Sequence, residues 1–329
     1  MSWKKLKLIG RGSYGSVYLA GEATTTGSLM AVKSCDFSVS SSLQLEEKLL
    51  QQLSNCPFVI QGIGTDVSIE EGGRRVYNLL LEYASNGSLD KLIKSHKENK
   101  MSESQIAFYA FMLLKGLSNI HKKSIVHCDL KPANILVIPR KGINLLKIAD
   151  FGMSKKGEEN QESDLFWGLN LNKKSGDIWA LGCIIVEMIT GKVSCGLIEI
   201  ADLIRKITNK EHVFDMSEDV QDFLMKCLEI DDYRKRWTAD MLLNHPFIIN
   251  NLKNLSSDEK IILRQELDIS KKIKKKKPWM YSKGMFSTTP LEVDEADMNS
   301  QHFLEEHLEK SPFEINLKYL EIGSDIGER

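Results

Sequence analysis

Residues 125–137 read Ile-Val-His-Cys-Asp-Leu-Lys-Pro-Ala-Asn-Ile-Leu-Val, and the other motifs of the chain are organised around this stretch. An aspartate, a lysine two residues later and an asparagine five residues later stand between two apolar runs. A second group, Asp150-Phe151-Gly152, begins sixteen residues after Asn134. The apolar residues 145–149 before it have the pattern of a short buried strand. The spacing predicts a hairpin-like pair of strands that brings Asp129, Asn134 and Asp150 together.

Two carboxylates and one amide in this arrangement suit a site that holds metal-bound phosphate beside a hydroxyl group. Asp129 can accept the proton of the hydroxyl, while Asn134 and Asp150 offer the hard oxygen ligands that Mg²⁺ prefers. Each group is common by itself, but both in this order and at this spacing are hard to obtain by chance. The residues therefore favour phosphoryl-transfer chemistry.

The same residues closely resemble the catalytic loop and the metal-binding turn of eukaryotic protein kinases. Lys131, at the second position after the aspartate, is similar to the serine/threonine branch of that family. The resemblance covers residues 3–248 and implies an α+β fold with a small β-rich N-lobe and a larger α-helical C-lobe. It also implies that ATP and Mg²⁺ bind, with Asp129 and Lys131 as catalytic residues and Asn134 and Asp150 as metal ligands.

A glycine-rich stretch at residues 8–20 reads Leu-Ile-Gly-Arg-Gly-Ser-Tyr-Gly-Ser-Val-Tyr-Leu-Ala. Glycine lets backbone amides approach phosphate oxygens closely. Alone the pattern is weak, because dinucleotide-binding folds use a similar spacing but continue as a helix. Here the chain continues as a strand, which favours the kinase loop. The nucleotide contacts that the resemblance implies in this stretch are Ile9, Gly10, Gly12, Ser13, Tyr14, Gly15 and Val17.

An ion pair is predicted between the next strand and the first helix. Residues 29–33 form a strand that contains Ala31 and ends in Lys33, which resembles the kinase lysine that holds the α- and β-phosphates. A helix is predicted from about residue 41 to 53, with Leu45, Leu49, Leu50 and Leu53 on one face. Glu46 borders that face and is the expected partner of Lys33, whereas Glu47 is rotated about 100° away and is expected to be solvated.

Residues 76–84 have the pattern of a buried strand that turns into a connector. By resemblance this segment joins the two lobes and supplies backbone groups to adenine. Leu81 then guards the back of the nucleotide pocket, and Glu82 to Ala84 form the hinge.

Beyond Gly152 the chain departs from the kinase pattern. Residues 177–182 match the Asp-x-Trp-x-x-Gly helix of the family, but the Ala-Pro-Glu that normally precedes this helix is absent. Only 24 residues separate Gly152 from Asp177, so the activation segment is shortened. Arg236 resembles the arginine that usually pairs with the missing glutamate, and a buried cation needs an acceptor. We therefore expect Arg236 to find another acceptor or to be exposed.

Cys128 stands where an arginine usually precedes the catalytic aspartate and clamps a phosphorylated activation loop. Without that arginine, we expect no requirement for activation by loop phosphorylation.

The bulk composition is that of an ordinary globular protein. The 329 residues hold 44 basic and 45 acidic side chains, so the charge balance does not argue for nucleic acid or a membrane surface. The six cysteines show no paired short spacing, which favours reduced thiols in the cytoplasm or nucleus. The N-terminal residues lack the apolar core of a signal peptide, and no apolar run approaches the length of a membrane span. A cytoplasmic location is expected, with the nucleus as a further possibility.

Residues 249–329 are predicted to be a charged C-terminal tail that is partly flexible. Six lysines fall within residues 271–277, a pattern that nuclear-import and anion-binding segments share. Residues 284–329 hold 11 acidic and 3 basic side chains. Charge blocks of opposite sign are solvated, flexible or mutually attracting. Phe303, Leu304 and Leu308 are weak candidates for a short partner-binding helix.

Within the kinases, the motifs together look most like plant mitogen-activated protein kinase kinase kinases. That resemblance implies a serine/threonine kinase that transfers the ATP γ-phosphoryl group to a protein, with a downstream kinase as the substrate. The shortened activation segment leaves an alternative open, namely a nucleotide-binding pseudokinase or scaffold without protein phosphorylation. A sequence that lacked an exon would show the same gap.

Overall fold

The computed structural model describes residues 3–12, 15–22, 28–54, 56–96, 101–156, 173–191, 197–209, 211, 216–230, 232–272 and 280–281. The first eighty or so residues form a small lobe built on one sheet, and the residues after the connector form a mostly helical large lobe. This arrangement confirms the predicted two-lobed α+β fold. Ser13, Tyr14, most of the shortened activation segment and the predicted helix around Phe303 lie outside the described residues.

The small-lobe sheet has the strand order β1-β2-β3-β5-β4-β10. Its strands are β1 (Trp3–Gly12), β2 (Gly15–Glu22), β3 (Leu29–Asp36), β4 (Gly62–Ile69), β5 (Arg75–Glu82) and β10 (Met280–Tyr281). The first five pair antiparallel, whereas β10 adds to the edge of β4 in parallel. Alternating residues of the strands form a small apolar cluster that contains Ala20, Met30, Val32 and Leu80.

Helix α1 (Ser41–Gln52) is the helix of the small lobe. Leu43, Leu49 and Leu50 are buried, and so is Leu53 directly after the helix. The prediction for Leu45 is wrong, because its side chain is 39% exposed. The buried positions instead include Glu46, so a carboxylate occupies a place on the inward face that an apolar side chain would normally take.

The large lobe is organised around α3 (Glu103–Lys122), which is buried on most of its circumference. Ser102 accepts a hydrogen bond from the backbone N–H of Gln105 and so caps the helix. A Cβ on Gly116 would lie 2.9 Å from Ile148 and 3.0 Å from the carbonyl oxygen of Phe58. The glycine therefore lets α3 pack closely against the end of the strand that leads to Asp150 and against the segment before β4.

Short strands and helices surround α3. The hairpin predicted between the catalytic loop and Asp150 is present as β7 (Ile135–Arg140) and β8 (Ile143–Ile148), which pair antiparallel from Ile135↔Ile148 to Arg140↔Ile143. The remaining elements are α2 (Leu89–Ser95), β6 (Ile125–Val126), β9 (Lys155–Lys156), α4 (Lys174–Thr190), α5 (Leu197–Thr208), α6 (Glu218–Cys227), α7 (Ala239–Leu242), α8 (Pro246–Lys253) and α9 (Ser257–Lys272).

Helical structure extends past residue 248, where the predicted tail begins. Helix α8 continues to Lys253, and α9 packs Ile262 and Leu263 into the core beside Leu255. Many charged residues separate these few apolar positions, which is why composition alone suggested a tail. None of the helices in the described ranges combines the length and the apolar character needed to cross a membrane.

Candidate active site

The catalytic loop is held in place by the carboxylate of Asp177, which is almost fully buried in the first turn of α4. Its two oxygens accept hydrogen bonds from the backbone N–H groups of His127 at 2.9 Å and Cys128 at 3.0 Å. His121 at the end of α3 lies 2.8 Å from the same carboxylate. The large lobe thus fixes the loop backbone immediately before Asp129.

Two residues that are not glycine adopt left-handed backbone conformations in this site. Cys128 has a φ of 65° and Asp150 a φ of 66°. Such conformations cost free energy for most side chains and persist only where the surrounding structure enforces them. At Cys128 the hydrogen bond to Asp177 provides that constraint. Cys128 directly precedes Asp129, and Asp150 is itself a predicted metal ligand. Backbone strain is therefore concentrated at the predicted catalytic groups.

Asp129, Lys131 and Asn134 form one hydrogen-bonded group. Lys131 Nζ lies 2.9 Å from both carboxylate oxygens of Asp129. Asn134 Nδ2 donates to Asp129 Oδ2 at 2.9 Å and to the Asp129 carbonyl at 2.8 Å. The backbone carbonyl of Asn134 accepts from the N–H of Ala149, so Asn134 connects Asp129 to the segment that carries Asp150.

Lys33 lies between two carboxylates. Its Nζ is 2.8 Å from Glu46 Oε2 and 2.8 Å from Asp150 Oδ1. Glu46 Oε1 also accepts from the N–H of Phe151 at 3.3 Å. The predicted pairing of Lys33 with Glu46 is therefore present, and it extends to the metal-binding turn.

Burial and charge oppose each other in this group. Burial disfavours the charged form of Lys33, yet Glu46 and Asp150 hold the pKa of this lysine above its usual value. Burial dominates at Glu46 and raises the pKa of its carboxyl despite the adjacent Lys33. Burial also opposes the charge of Asp150, but there Lys33 outweighs it and lowers the pKa. Asp150 is therefore the more acidic of the two partners, as a metal ligand should be.

The donor set fits Mg²⁺. Lys33 and, at 3.4 Å, the N–H of Gly152 contact Oδ1 of Asp150, which leaves Oδ2 for a ligand bond. The amide nitrogen of Asn134 is used by Asp129, which leaves the amide oxygen. No group of three or more His, Cys, Asp or Glu side chains suited to a metal occurs in the described ranges. Such a sparse set of hard oxygens fits Mg²⁺, which takes one or two protein ligands together with substrate phosphates.

The register of the small-lobe sheet aligns the predicted nucleotide contacts across neighbouring strands. Val17 on β2 pairs with Gly10 on β1 on one side and with Lys33 on β3 on the other. Ala31 on β3 pairs with Leu81 on β5. Gly12 pairs with Gly15 at the end of the β1–β2 ladder, and Ile9 lies at an irregularity of that ladder with 40% of its surface exposed.

The backbone of Ser34 approaches Gly15 so closely that only glycine fits at this position. Gly15 has a φ of 131°, and a Cβ at this position would lie 2.4 Å from the carbonyl oxygen of Ser34. A larger residue would displace β2 from β3 at the end of the sheet where the glycine-rich stretch lies. This glycine therefore has a structural role in addition to the phosphate contact that the resemblance implies.

The connector between the lobes is fixed by a buried ion pair. Lys147 Nζ on β8 lies 2.7 and 2.9 Å from the two carboxylate oxygens of Glu82. The same carboxylate accepts from the N–H of Gln61 at 2.7 Å. Ala84 follows, and its carbonyl accepts from the N–H of Gly87 in a turn. The side chain of Glu82 thus orients the hinge. The contact of its backbone with adenine stays a prediction.

Sequence reasoning missed the roles of Asp177 and Lys147. An aspartate in the first turn of an otherwise apolar helix, and a lysine inside an apolar strand, were the available signals. The prediction for Glu47 is also corrected. This carboxylate is half-buried, and it accepts hydrogen bonds from the hydroxyl of Tyr77 and the amide of Gln51.

Comparison with known proteins shows the family of the chain. The family model described as the protein kinase domain matches residues 3–248. The chain is 35% identical to mitogen-activated protein kinase kinase kinase 20 of Arabidopsis thaliana, over 77% of this chain and 80% of that protein. It is 38% identical to mitogen-activated protein kinase kinase kinase 17 of the same plant, over 75% of this chain and 70% of that protein.

The family model covers well over half of the chain, and both relatives are named as mitogen-activated protein kinase kinase kinases. With a catalytic loop, a metal-binding turn and a lysine–glutamate pair assembled in one place, the chain belongs to the protein kinase family as an ATP-dependent serine/threonine kinase that resembles mitogen-activated protein kinase kinase kinases.

Proposed function

We propose that this kinase transfers the γ-phosphoryl group of ATP to a serine or threonine of a downstream kinase in a mitogen-activated protein kinase cascade. The observation that carries the proposal is the single group formed by Lys33, Glu46, Asp150, Asn134 and Asp129. The names of the similar plant proteins support the choice of substrate.

Each side chain then has a distinct role. Asp129 accepts the proton of the attacking hydroxyl, and Lys131, which is bound to Asp129 here, neutralises charge on the γ-phosphoryl group. Lys33, oriented by Glu46, binds the α- and β-phosphates. Asn134 and Asp150 hold Mg²⁺, which supplies positive charge to the phosphate oxygens when bound. Both lysines contact carboxylates in the present structure, so nucleotide binding exchanges those contacts for phosphate.

The location follows the same proposal. The cysteine pattern favours a reducing compartment, and the lysine run at 271–277 suits nuclear import. We place the protein in the cytoplasm, with access to the nucleus.

The decisive experiment is a radiolabel transfer assay with MgATP, using a generic protein and a catalytically inactive mitogen-activated protein kinase kinase as acceptors. Asp129→Asn is the matched control, because it keeps the side-chain shape and removes the base. We expect the natural chain to exceed this variant by about 10²–10⁴-fold. Equal rates, together with a rise in melting temperature on adding ATP, would instead identify a nucleotide-binding scaffold.

A graft tests the shortened segment. Replacing residues 153–176 by a full activation segment ending in Ala-Pro-Glu should restore substrate positioning, which is worth orders of magnitude in rate. ATP affinity should barely change, because the small lobe and the metal-binding turn are untouched. If the natural chain already phosphorylates the downstream kinase as fast as the graft, the short segment is sufficient by itself.

A further inference from the structure

Helix α1 contacts the metal-binding turn at a second point, in addition to Glu46. The hydroxyl of Ser42 donates a hydrogen bond to the carbonyl oxygen of Gly152 at 3.0 Å, across 110 positions of the chain. Ser42 lies four residues before Glu46, so the two side chains share one face of the helix. Glu46 Oε1 accepts from the N–H of Phe151 at 3.3 Å. Two consecutive residues of the turn are thus bound to one face of α1.

The segment before Asp150 is anchored in the large lobe. The N–H of Ala149 donates to the carbonyl oxygen of Asn134 at 2.8 Å. The imidazole Nε2 of His127 lies 3.1 Å from the carbonyl oxygen of Ala149. Both contacts join the turn to the catalytic loop. The backbone that leads into Asp150 is thus fixed from the large lobe.

The segment after Asp150 is anchored by α1. Asp150 has a φ of 66°, and a left-handed conformation of this kind persists where the surrounding structure enforces it. Ser42 binds the carbonyl of Gly152, and Glu46 binds the N–H of Phe151, directly after that strained residue. The direction of the Asp150 carboxylate therefore depends on anchors from both lobes, and Ser42 supplies one of those from the small lobe.

The contact made by Ser42 involves no charge. Lys33 lies 2.8 Å from Asp150 here, but it binds phosphate when nucleotide is present, so this contact is exchanged. Glu46 divides its carboxylate between Lys33 and the turn. The hydroxyl of Ser42 and the carbonyl of Gly152 are neutral and take no part in that exchange. Their hydrogen bond can hold the turn both before and after nucleotide binds.

Position distinguishes Ser42 among three consecutive serines at the start of α1. Ser40 is the buried N-cap residue, and its hydroxyl donates to the carbonyl oxygen of Phe37 at 2.8 Å. Ser41 is exposed, whereas Ser42 is half-buried. Successive residues of a helix are rotated by about 100°, which places Ser42 on the face that carries Glu46. Ser41 therefore offers a matched control with the same side chain on the same helix.

We propose that Ser42 is a positioning residue for Asp150. Its hydroxyl fixes the carbonyl of Gly152, and the fixed turn presents the Asp150 carboxylate to Mg²⁺. Ser42 acts through the backbone of the turn and not as a ligand. The proposal rests on the proposed role of Asp150 as a metal ligand, and it does not depend on which protein is phosphorylated.

Hydrogen exchange of the full chain, without nucleotide or Mg²⁺, tests the contact itself. Ser42→Ala removes the donor, whereas Ser41→Ala makes the same change at the exposed neighbour. Alanine raises the helix propensity similarly at both positions, so a difference between the variants reports the contact with the turn. We expect the amides of residues 150–154 to exchange about fivefold faster in Ser42→Ala, the usual effect of one neutral hydrogen bond. Ser41→Ala should stay within about twofold of the natural chain.

Nucleotide affinity tests the effect on the metal ligand. In Ser42→Ala the affinity for MgATP should fall about fivefold, because the released turn must be ordered again before Asp150 can bind the metal. Affinity for ATP with a chelator should change less than about twofold. Ser42→Thr keeps the hydroxyl and should restore MgATP affinity to within about twofold of the natural value. A general weakening of the fold has no reason to act on the Mg²⁺-dependent part alone.

A double variant tests whether Ser42 acts through Asp150. In the Asp150→Asn chain the anionic metal ligand is already lost, so adding Ser42→Ala should lower MgATP affinity by less than about a further twofold. The single variant Asp150→Asn also tests the assignment on which the proposal rests. If it weakens binding of ATP equally with Mg²⁺ and with a chelator, both the metal-ligand role of Asp150 and the proposal are wrong.

Two results would overturn the role of Ser42 and leave the rest of the kinase site intact. One is that Ser42→Ala matches Ser41→Ala in exchange and in MgATP affinity, while Asp150→Asn shows its Mg²⁺-specific loss. The other is that Ser42→Ala costs the same fivefold in the Asp150→Asn chain, since Ser42 then acts independently of Asp150. A cooperative melting transition verifies that each variant is folded.

Discussion

The ammonium group of Lys147 lies 2.7 and 2.9 Å from the two carboxylate oxygens of Glu82, with the lysine side chain 5% and the glutamate side chain 20% exposed. Glu82 also accepts from the N–H of Gln61. One carboxylate thus joins β8 of the large lobe, the end of β5 and the segment that leads into β4. The hinge that contacts adenine in this family is held at its first residue by this contact.

Lys147→Met should weaken both the fold and ATP binding. The substitution leaves the carboxylate of Glu82 largely buried without its cation. Because a fifth of that side chain reaches solvent, we expect a loss of about 2 kcal/mol, less than for a fully buried pair. Urea unfolding measures the stability, and titration with ATP measures the affinity. Lys94→Met is the matched control, since the Lys94–Asp90 pair is exposed and contributes less than about 0.5 kcal/mol.

A second substitution separates the charge effect from packing. In Lys147→Met with Glu82→Gln the stranded charge is gone, so part of the lost stability should return. If the single variant is as stable as Lys94→Met, the pair has no role in holding the hinge.

Lys33→Met should lower turnover by about 10²–10³-fold, because the substitution removes positive charge from the phosphates. The protein should still fold, but its stability should acquire a new dependence on pH. Glu46, only 1% exposed, loses its cation, and burial already raises the pKa of its carboxyl. A carboxyl whose folded pKa lies above its unfolded value holds more protons in the folded state, so stability falls as pH rises between the two values.

Thermal melts from pH 4.5 to 8 compare Lys33→Met with Lys48→Met. Lys48 is an exposed lysine on α1, the helix that also carries Glu46. The Lys33 variant should lose melting temperature toward high pH relative to that control. Unchanged turnover in Lys33→Met would exclude the assigned nucleotide site.

Local chemistry made most of the site predictable from the sequence. Asp129, Asn134 and Asp150 lie on short connections next to the β7–β8 hairpin, so their spacing along the chain nearly determines their spacing in space. Lys33 and Glu46 lie 13 residues apart on adjacent elements, and helix geometry was enough to prefer Glu46 over Glu47. These site residues could be predicted because their arrangement depends mainly on contacts between neighbouring elements.

Long-range contacts account for what the sequence did not reveal. Glu82 and Lys147 are 65 residues apart, and Asp177 reaches the N–H of His127 across 50 residues. Such pairs leave no periodic pattern. From the sequence, Leu43 and Leu45 are equally good candidates for the buried face of α1. Contacts with the rest of the fold bury Leu43 and leave Leu45 39% exposed. Helix α9 buries Ile262 and Leu263 within a stretch whose charge masks its amphipathic face.

The thiols of the catalytic loop and the small lobe should resist alkylation. Burial raises the pKa of Cys56 to about 11 and that of Cys128 to about 12. Both groups therefore stay protonated at pH 8, and only the thiolate reacts. We expect iodoacetamide to modify them at least about a hundredfold more slowly than a free cysteine.

Mass spectrometry of tryptic peptides at pH 7, 8, 9 and 10 gives the rates, and the urea-unfolded chain is the control in which both thiols react. The rates in the folded protein should keep rising beyond pH 9. Rapid modification of Cys128 at pH 7 would mean that the thiol next to Asp129 is ionised, contrary to the structure.

Asp150→Asn should weaken Mg²⁺-dependent nucleotide binding far more than binding without Mg²⁺. The carboxylate is an anionic ligand for the metal, whereas the amide offers a neutral oxygen. The same change frees Lys33 from one of its two carboxylate contacts, so its contact with phosphate is kept when Mg²⁺ is absent. We expect affinity for MgATP to fall about tenfold or more, while affinity for ATP with a chelator changes less than about twofold. Thermal-shift titrations under both conditions measure the two affinities, with Asp258→Asn on the exposed start of α9 as the control. Equal losses in both titrations would reject Asp150 as a metal ligand, because a purely structural defect has no reason to depend on Mg²⁺.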